Sequence, residues 1–158
     1  MNVTKARAQL TIGSQMRPVD VLRDDGKLDR VNYSDAAVPT LLYIMSPTCI
    51  FCQYNLPNLK ALGEQAEGKY RIVILSIVRD GLEEYRQTHH VTAPIWTIAV
   101  QSQFDLQITG TPGTLLISPG GTLIALWRGA FNSDQKDEIE RLLDVDLPGI
   151  DSAVAGPG

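Results

Sequence analysis

Cys49 and Cys52 are the only cysteines among the 158 residues, and they lie three positions apart in the segment Ser46-Pro47-Thr48-Cys49-Ile50-Phe51-Cys52. Side chains at this spacing share one face of a helix. A helix that begins at Cys49 would therefore let the two sulfur atoms close one small disulfide. Because a thiolate attacks a disulfide sulfur in thiol–disulfide exchange, the pair is a candidate redox site.

The segments on either side of the cysteines predict a strand that runs into a helix. Val38–Met45 is a nearly continuous apolar run, which is typical of a strand covered on both faces. Residues 53–65 have the spacing of an amphipathic helix, which Pro57 is expected to kink. Unpaired N–H groups and the helix dipole stabilise negative charge at a helix N-terminus, so a cysteine at this turn would favour the thiolate.

The rest of the chain alternates apolar runs with helical periodicity, which predicts an α/β sheet with mixed strand directions. Tyr70–Val78 contains a second buried strand that completes a βαβ unit. Two hairpins flank this unit, one turning at Asp25-Gly26 and one at Pro119-Gly120-Gly121. Shorter elements are predicted as a helix over 82–88, a strand over 95–100, a helical turn over 103–106, and a last helix that begins at Asn132 or Ser133 and ends near Leu143.

Length and composition indicate one globular domain. Hydrophobic residues make up 44% of the chain and charged residues 20%, and the formal net charge is −4. This charge argues against a nucleic-acid partner, which favours a basic face. We divide the chain into an N-terminal extension over 1–17, a single domain over 18–147 and a flexible small-residue tail over 148–158. We expect the protein to be a monomer.

The sequence predicts no transmembrane segment. No apolar stretch approaches the roughly 18–20 residues that span a bilayer, and residues 1–16 lack the apolar core of a signal peptide. Two locations remain open: the cytoplasm, or an extracytoplasmic compartment if an export segment has been removed.

The element order, with a cysteine pair after the first central strand, resembles the thioredoxin fold and, within it, the TlpA/ResA-like thiol-disulfide oxidoreductases. The likeness covers roughly residues 10–143. It implies an α/β fold in which helices flank a central mixed β-sheet with an N-terminal β-hairpin. Four features carry it: the hairpin around Asp25-Gly26-Lys27 with Gly13 and Leu22, the Cys49-Ile50-Phe51-Cys52 spacing, Pro57, and Gly110-Thr111-Pro112-Gly113 followed by the second hairpin.

The resemblance also implies a role for each site residue. Cys49 would be the attacking nucleophile, and Cys52 would be a buried resolving thiol whose pKa burial raises. The Thr111–Pro112 bond would be cis and would lie beside the disulfide, where the backbone shapes a groove for an extended protein substrate. No cofactor beyond the dithiol is implied, but a redox partner must recycle it.

Direction and location follow from the same resemblance. The two residues between the cysteines include no histidine of the kind found in strongly oxidising relatives, which favours a reducing or intermediate potential. We expect exchange in the reducing direction. Members of this branch usually act outside the cytoplasm on secreted thiols, which favours a periplasmic or membrane-facing location.

Three positions depart from these relatives. Tyr43 stands where thioredoxins carry a buried Asp, Asn55 stands where ResA-like reductases carry a Glu, and Thr48 replaces a tryptophan before the first cysteine. In the relatives those carboxylates manage the proton of the buried thiol. Because both acids are missing here, we expect slow reduction of a model disulfide.

A metal-binding or copper-delivery module is one alternative. Cys49 and Cys52 with His89 or His90 would offer two sulfurs and a nitrogen, which suit copper or zinc. Copper chaperones of thioredoxin fold, however, have three residues between their cysteines and carry their histidine much further along the chain. A surface role at the end of a short helix is the simpler interpretation of the two histidines.

Two further alternatives concern what the cysteines do. A peroxidase of the peroxiredoxin type would carry Pro-x-x-x-Thr/Ser-x-x-Cys; Ser46 fits this pattern, but Leu42 occupies the proline position. A weakly active docking module with a mostly regulatory disulfide is compatible with the missing acids.

Overall fold

A computed structural model of the chain describes residues 9–150. In this range seven strands form one mixed sheet in the order β2-β1-β5-β4-β3-β6-β7. The strands are β1 (Val19–Leu22), β2 (Leu28–Val31), β3 (Thr40–Met45), β4 (Arg71–Ser76), β5 (Ile95–Ile98), β6 (Gly113–Ile117) and β7 (Leu123–Arg128). The helices are α1 (Ile50–Tyr54), α2 (Leu56–Glu64), α3 (Leu82–His89), α4 (Val100–Asp105) and α5 (Ser133–Leu143).

The central strand is β3, and all six of its residues are buried. It pairs parallel with β4 and antiparallel with β6, so the predicted βαβ unit and the predicted mixed sheet are both confirmed. Parallel neighbours require a crossover, and here α1 and α2 supply it. The start of α1 consequently lies at the carboxyl end of β3.

The N-terminal hairpin is an integral part of the sheet. β1 and β2 pair antiparallel as predicted, with Gly26 in the turn at φ 81°. β1 also pairs antiparallel with β5, where Val21 lies opposite Ile98. This pairing joins residues 77 positions apart, so no local pattern in the sequence could indicate it.

The helix that follows the cysteines differs from the prediction. The sequence predicts one helix over residues 53–65 with a kink at Pro57, whereas the chain forms two helices separated at Asn55, and the first begins at Ile50. Pro57 lies in the first turn of α2, where its missing N–H has no carbonyl to pair with inside the helix. The proline therefore starts a new helix rather than bending an existing one.

The sheet separates two hydrophobic cores. The first core packs side chains from α2 and α5 against one face of β3 and includes Tyr43 and Cys52. The second core covers the other face and includes Leu42 and Ile44. Successive residues of a strand point to opposite faces, so the alternation within β3 assigns Tyr43 to the same side of the sheet as the cysteines.

Both ends of the described chain contact the domain. Gly13 N–H donates to the Leu123 carbonyl at 2.8 Å, which ties the predicted extension to β7. The C-terminal segment, defined here as residues 144–150, lies along α2: the Gln65 side chain bonds both backbone groups of Asp146, at 2.7 and 2.9 Å. Residues 1–8 and 151–158, the remainder of the predicted extension and tail, lie outside the described residues.

Each helix in the described range is too short or too polar to cross a bilayer.

Candidate functional site

Cys49 and Cys52 form a disulfide at the start of α1. Cys49 is the N-cap residue, with extended backbone angles, and its Sγ accepts a hydrogen bond from the Cys52 N–H at 3.0 Å. An N-cap side chain satisfies a backbone donor that the helix leaves unpaired. The two sulfurs have unequal surroundings, since Cys49 is half-buried and Cys52 is only 2% exposed.

The Thr111–Pro112 peptide bond is cis, as expected, and it lies beside the disulfide. The Thr111 carbonyl oxygen is 3.3 Å from Cys49 Sγ. In the dithiol form a Cys49 thiol could donate to this oxygen, whereas the carbonyl would repel a Cys49 thiolate. The Cys52 N–H has the opposite effect, because a donor favours the thiolate. The protonation of Cys49 therefore depends on two neighbouring backbone groups.

Tyr43 and Asn55, the two positions that lack the expected acids, are bonded to each other. Asn55 Nδ2 donates to the Tyr43 hydroxyl at 3.1 Å, and both residues are at most 1% exposed. Asn55 ends α1 three residues after Cys52, so its side chain lies on the same face of the helix as the Cys52 sulfur. The two positions that lack the carboxylates of the relatives are therefore occupied by a neutral amide and a neutral hydroxyl, which bond each other.

Backbone groups fix the orientation of this amide. The Phe131 N–H donates to Asn55 Oδ1 at 3.0 Å, and Asn58 Nδ2 donates to the same oxygen at 3.0 Å. The Gly149 N–H in turn donates to Asn58 Oδ1 at 2.8 Å. Because a backbone N–H can only donate, each amide must present its oxygen to that donor and its nitrogen to the next residue. The hydrogen bonds therefore all run in one direction, from Gly149 to Tyr43.

The site has no net charge. The segment from Thr40 to Leu59 contains no Asp, Glu, Lys, Arg or His, and no charged side chain is buried within residues 9–150. Burial raises the pKa of Tyr43 well above its ordinary value, although the hydrogen bond from Asn55 opposes part of this shift. Tyr43 is consequently neutral at any working pH.

An apolar cleft lies on the surface next to the disulfide. Ile50 and Phe51, the two residues between the cysteines, are each 49% exposed. Phe51 borders a cleft of about 660 Å³. Its other walls are the loop between β7 and α5 and the end of the C-terminal segment, with lining residues that include Gly129, Ala130, Phe131, Pro148 and Ile150.

Three solved structures illustrate what this arrangement of elements is similar to. The thioredoxin domain of a thiol-disulfide oxidoreductase from Bacteroides vulgatus is 17% identical, with a TM-score of 0.67 over 85% of this chain and 99% of that chain. The chain has the thioredoxin fold. A thiol:disulfide interchange protein from Chlorobium tepidum is 16% identical, with a TM-score of 0.66 over 87% and 99%. StoA from Bacillus subtilis is 15% identical, with a TM-score of 0.60 over 77% and 95%.

Comparison of sequences alone gives no match. No protein-family model matches the chain, and no curated protein is similar to it in sequence. The fold predicted from the order of elements is confirmed by the solved structures.

Within this thioredoxin fold the two histidines do not join the cysteines. The His89 ring packs against Tyr85, with ring centroids 4.4 Å apart, and His90 is exposed at the end of α3. Across residues 9–150, no group of three His, Cys, Asp or Glu side chains is placed to hold a metal ion. The position expected to carry a peroxidase proline is Leu42, which is buried in the second core, on the other side of the sheet from Cys52.

Sequence reasoning missed three parts of the site. Asn58, Phe131 and Gly149 all contact the polar chain beneath the disulfide, yet Phe131 and Gly149 lie 76 and 91 positions from the side chains they bond. Asn58 carried a local signal, because a polar residue one turn after Asn55 on the buried face of a helix requires a partner.

Proposed function

We propose that the protein is a thiol-disulfide oxidoreductase that exchanges its Cys49–Cys52 dithiol with protein substrates in the reducing direction. One observation carries the proposal: a half-exposed sulfur at the start of a helix accepts the Cys52 N–H and lies 3.3 Å from the Thr111 carbonyl, beside Pro112. This arrangement supports Cys49 as an accessible nucleophile next to a segment that can guide an extended chain. Two of the solved structures described above are the thioredoxin domain of a thiol-disulfide oxidoreductase and a thiol:disulfide interchange protein. Their similarity to this chain supports the proposal.

The proposed reaction has two exchange steps. The Cys49 thiolate attacks one sulfur of a substrate disulfide, and the other substrate sulfur leaves with the electron pair and takes up a proton. The Cys52 thiolate then attacks Cys49 Sγ and releases the second substrate sulfur. The substrate gains two electrons and two protons, and the protein is left as the disulfide. A dithiol redox partner must then reduce it again.

The apolar cleft supports a polypeptide as the substrate. Ile50 and Phe51, which follow Cys49 directly, present apolar surface and no charge. Apolar area removed from water contributes about 25 cal/mol per Å², so a substrate with a large apolar side chain near its cysteine would gain affinity in the cleft.

Location and assembly remain part of the proposal. We place the protein outside the cytoplasm because the sequence resembles a branch that usually works there, and we expect a monomer that needs no cofactor beyond its dithiol. Fractionation of the source cells, with detection of the native protein, tests the location.

The first experiment measures the redox couple and the activity together. Wild type, Cys49→Ser and Cys52→Ser are assayed for reduction of insulin disulfides with dithiothreitol, and the metal content of each sample is determined. We expect slow turnover by the wild type, none by Cys49→Ser, and a trapped mixed disulfide for Cys52→Ser. A reduction potential near thioredoxin's roughly −270 mV supports a reductase, whereas one near roughly −120 mV indicates an oxidant.

Two results would contradict the proposal. Turnover that survives Cys49→Ser would show that Cys49 is not the nucleophile. Stoichiometric copper or zinc on thiols that resist disulfide formation would favour the metal-binding alternative.

A further inference from the structure

Reduction of the disulfide creates an electrostatic problem in the core. Cys52 is 2% exposed, yet it must attack as a thiolate in the second exchange step. Burial disfavours a charged sulfur unless donors reach it. Within the described range the buried side chains supply no cation and no carboxylate. Any group that stabilises the Cys52 thiolate from inside the protein must therefore be a neutral donor.

One buried hydroxyl has no partner. Thr114 Oγ1 is the single buried side-chain nitrogen or oxygen atom within residues 9–150 that makes no hydrogen bond, and Thr114 is fully buried. Buried polar groups are nearly always paired, and an exception calls for an explanation. Thr114 lies two residues after Pro112, at the start of β6.

The sheet register places this hydroxyl on the side of the cysteines. Thr114 lies directly opposite Tyr43 on β3 and opposite Trp127 on β7. Residues opposite each other in an antiparallel pair share a face of the sheet. Tyr43 and Trp127 both belong to the first core, together with Cys52. The Thr114 side chain therefore faces the core that contains the resolving sulfur.

Tyr43 has an unused hydrogen on the same face. Its oxygen accepts from Asn55 Nδ2, and the orientation of that amide is fixed by the Phe131 N–H. No group within residues 9–150 accepts the hydrogen of the Tyr43 hydroxyl. Asn55, which bonds Tyr43, follows Cys52 by three residues, about 4.5 Å along the helix axis, and Tyr43 and Cys52 both belong to the first core.

We propose that the hydroxyl groups of Tyr43 and Thr114 donate hydrogen bonds to the Cys52 sulfur once the Cys49–Cys52 bond is broken, and so stabilise the resolving thiolate. The inference rests on the proposed exchange reaction. Both hydroxyls keep their own hydrogens throughout: the proton of Cys52 goes to solvent before the attack. The Cys52 electron pair forms the new S–S bond, and the departing substrate sulfur takes up a proton from solvent.

Tyr43 acts as a donor and not as a base. Burial raises the pKa of its hydroxyl, so that a tyrosinate does not form at a working pH. The other titratable groups in this core are Tyr70 and Tyr85, whose pKa values burial also raises. The exposed Glu138 on α5 reaches the core through Trp127, whose Nε1 donates to it at 2.7 Å.

The test measures the titration of Cys52 directly. In a Cys49→Ala background Cys52 is the only thiol, and its midpoint is obtained from the pH dependence of thiolate absorbance and of alkylation rate. Tyr43→Phe and Thr114→Val are each expected to raise the midpoint by about one to two pH units, which is about ten- to a hundredfold less thiolate at neutral pH.

Three variants serve as matched controls. Thr114→Ser keeps a hydroxyl and should restore the wild-type midpoint. Tyr33→Phe removes a buried hydroxyl from the second core, where it donates to the Arg17 carbonyl at 2.7 Å, and should leave the midpoint unchanged. Glu138→Gln removes the exposed carboxylate that accepts from Trp127 Nε1, and should leave the midpoint unchanged. Circular dichroism confirms that each variant is folded.

The outcomes separate this inference from the proposed function. Midpoints that stay unchanged in folded Tyr43→Phe and Thr114→Val overturn the inference, while insulin reduction by the wild type would still support the exchange reaction. Wild type that fails to reduce insulin overturns the proposed function, whatever the titration of Cys52 shows.

Discussion

Cys49 and Cys52 have identical side chains, but their surroundings give the two sulfurs different chemistry. Cys49 is half-buried and receives an N–H donor from α1, while Cys52 is almost wholly enclosed by the first core. Reactivity of a cysteine follows thiolate character and access together. Both factors favour Cys49 as the sulfur that meets a substrate.

This difference predicts the order of alkylation. In the reduced protein, iodoacetamide should modify Cys49 at least about tenfold faster than Cys52, because only Cys49 combines access with a donor for the thiolate. Peptide mass spectrometry after timed quenching measures the two rates. Equal rates, or earlier modification of Cys52, would reverse the assigned roles.

Asn55 shows where sequence reasoning reaches its limit at a single residue. The sequence identifies Tyr43 and Asn55 as the positions without acids, and the structure shows that they bond each other at 3.1 Å. What holds this pair is a backbone donor at Phe131, 76 positions away. Spacing along a chain predicts contacts within a helix or a hairpin, but it carries no signal for a bond of that separation.

At the scale of elements, α1 is a short helix whose first turn is exposed. It has five residues, of which Cys52 is the one fully buried, so Ile50 and Phe51 remain at the surface beside Cys49. A longer helix would have packed more of its length against the sheet. The separate start of α2 at Leu56 gives the packed helix its own first turn.

Removal of the exposed ring should impair binding of proteins more than the chemistry. Phe51→Ser should lower kcat/KM for insulin about three- to tenfold, because Phe51 is 49% exposed and covering that half contributes about half of the roughly 1.5–3 kcal/mol of a fully buried phenylalanine. Turnover of a small aromatic disulfide should change by less than about twofold. Serine introduces no charge near Cys49. Kinetics with both substrates measure the difference.

Leu28→Ser is the matched control for this change. Leu28 is 77% exposed on β2, four strands from β3 and so roughly 19 Å away across the sheet. It should leave both rates unchanged. Equal losses on both substrates for Phe51→Ser would mean that the ring supports the reactive geometry rather than substrate binding.

Most individual elements could be predicted because their signals are local. The apolar run before Cys49, the turn at Gly26 and the cap at Asn132 each predict a structure that is present, and Asn132 also forms a reciprocal capping box with Gln135. The pairing of β1 with β5 could not be predicted, because a strand's pattern indicates which face is buried and not which strand lies beside it.

At the scale of the whole molecule, the C-terminal segment connects surface and interior. Glu140 on α5 holds its middle, accepting from the Leu147 N–H at 2.8 Å and from Lys136 Nζ at 3.1 Å. Gly149, near its end, contributes to the cleft and donates to Asn58. The same few residues thus border the apolar cleft and terminate the buried polar chain.

The carboxylate that holds this segment should make part of the stability depend on pH. The hydrogen bond from Leu147, and then that from Lys136, lowers the pKa of Glu140. A lowered folded-state pKa contributes stability above the unfolded value of about 4.3 and loses it as the pH falls through the folded value. The difference in Tm between wild type and Glu140→Gln should therefore be largest near neutral pH and shrink below about pH 4.

Glu67→Gln is the control for this measurement, since Glu67 is exposed and has no hydrogen bond or ion pair within residues 9–150. Differential scanning calorimetry from pH 7 to pH 3 gives the Tm values. A Tm difference for Glu140→Gln that grows on acidification would mean that Glu140 is not held by these donors.

The direction of the buried amide chain bears on where this domain can be cut or fused. A fragment that stopped at Leu147 would keep both cysteines, every strand and all five helices of the described range, yet it would lose the Gly149 N–H that orients Asn58. Asn58 could then turn over, and Asn55 would lose one of the two donors on its oxygen. For an engineer, a fusion joint belongs after Ile150, because a trim that looks harmless on the surface would loosen the side chains beneath the disulfide.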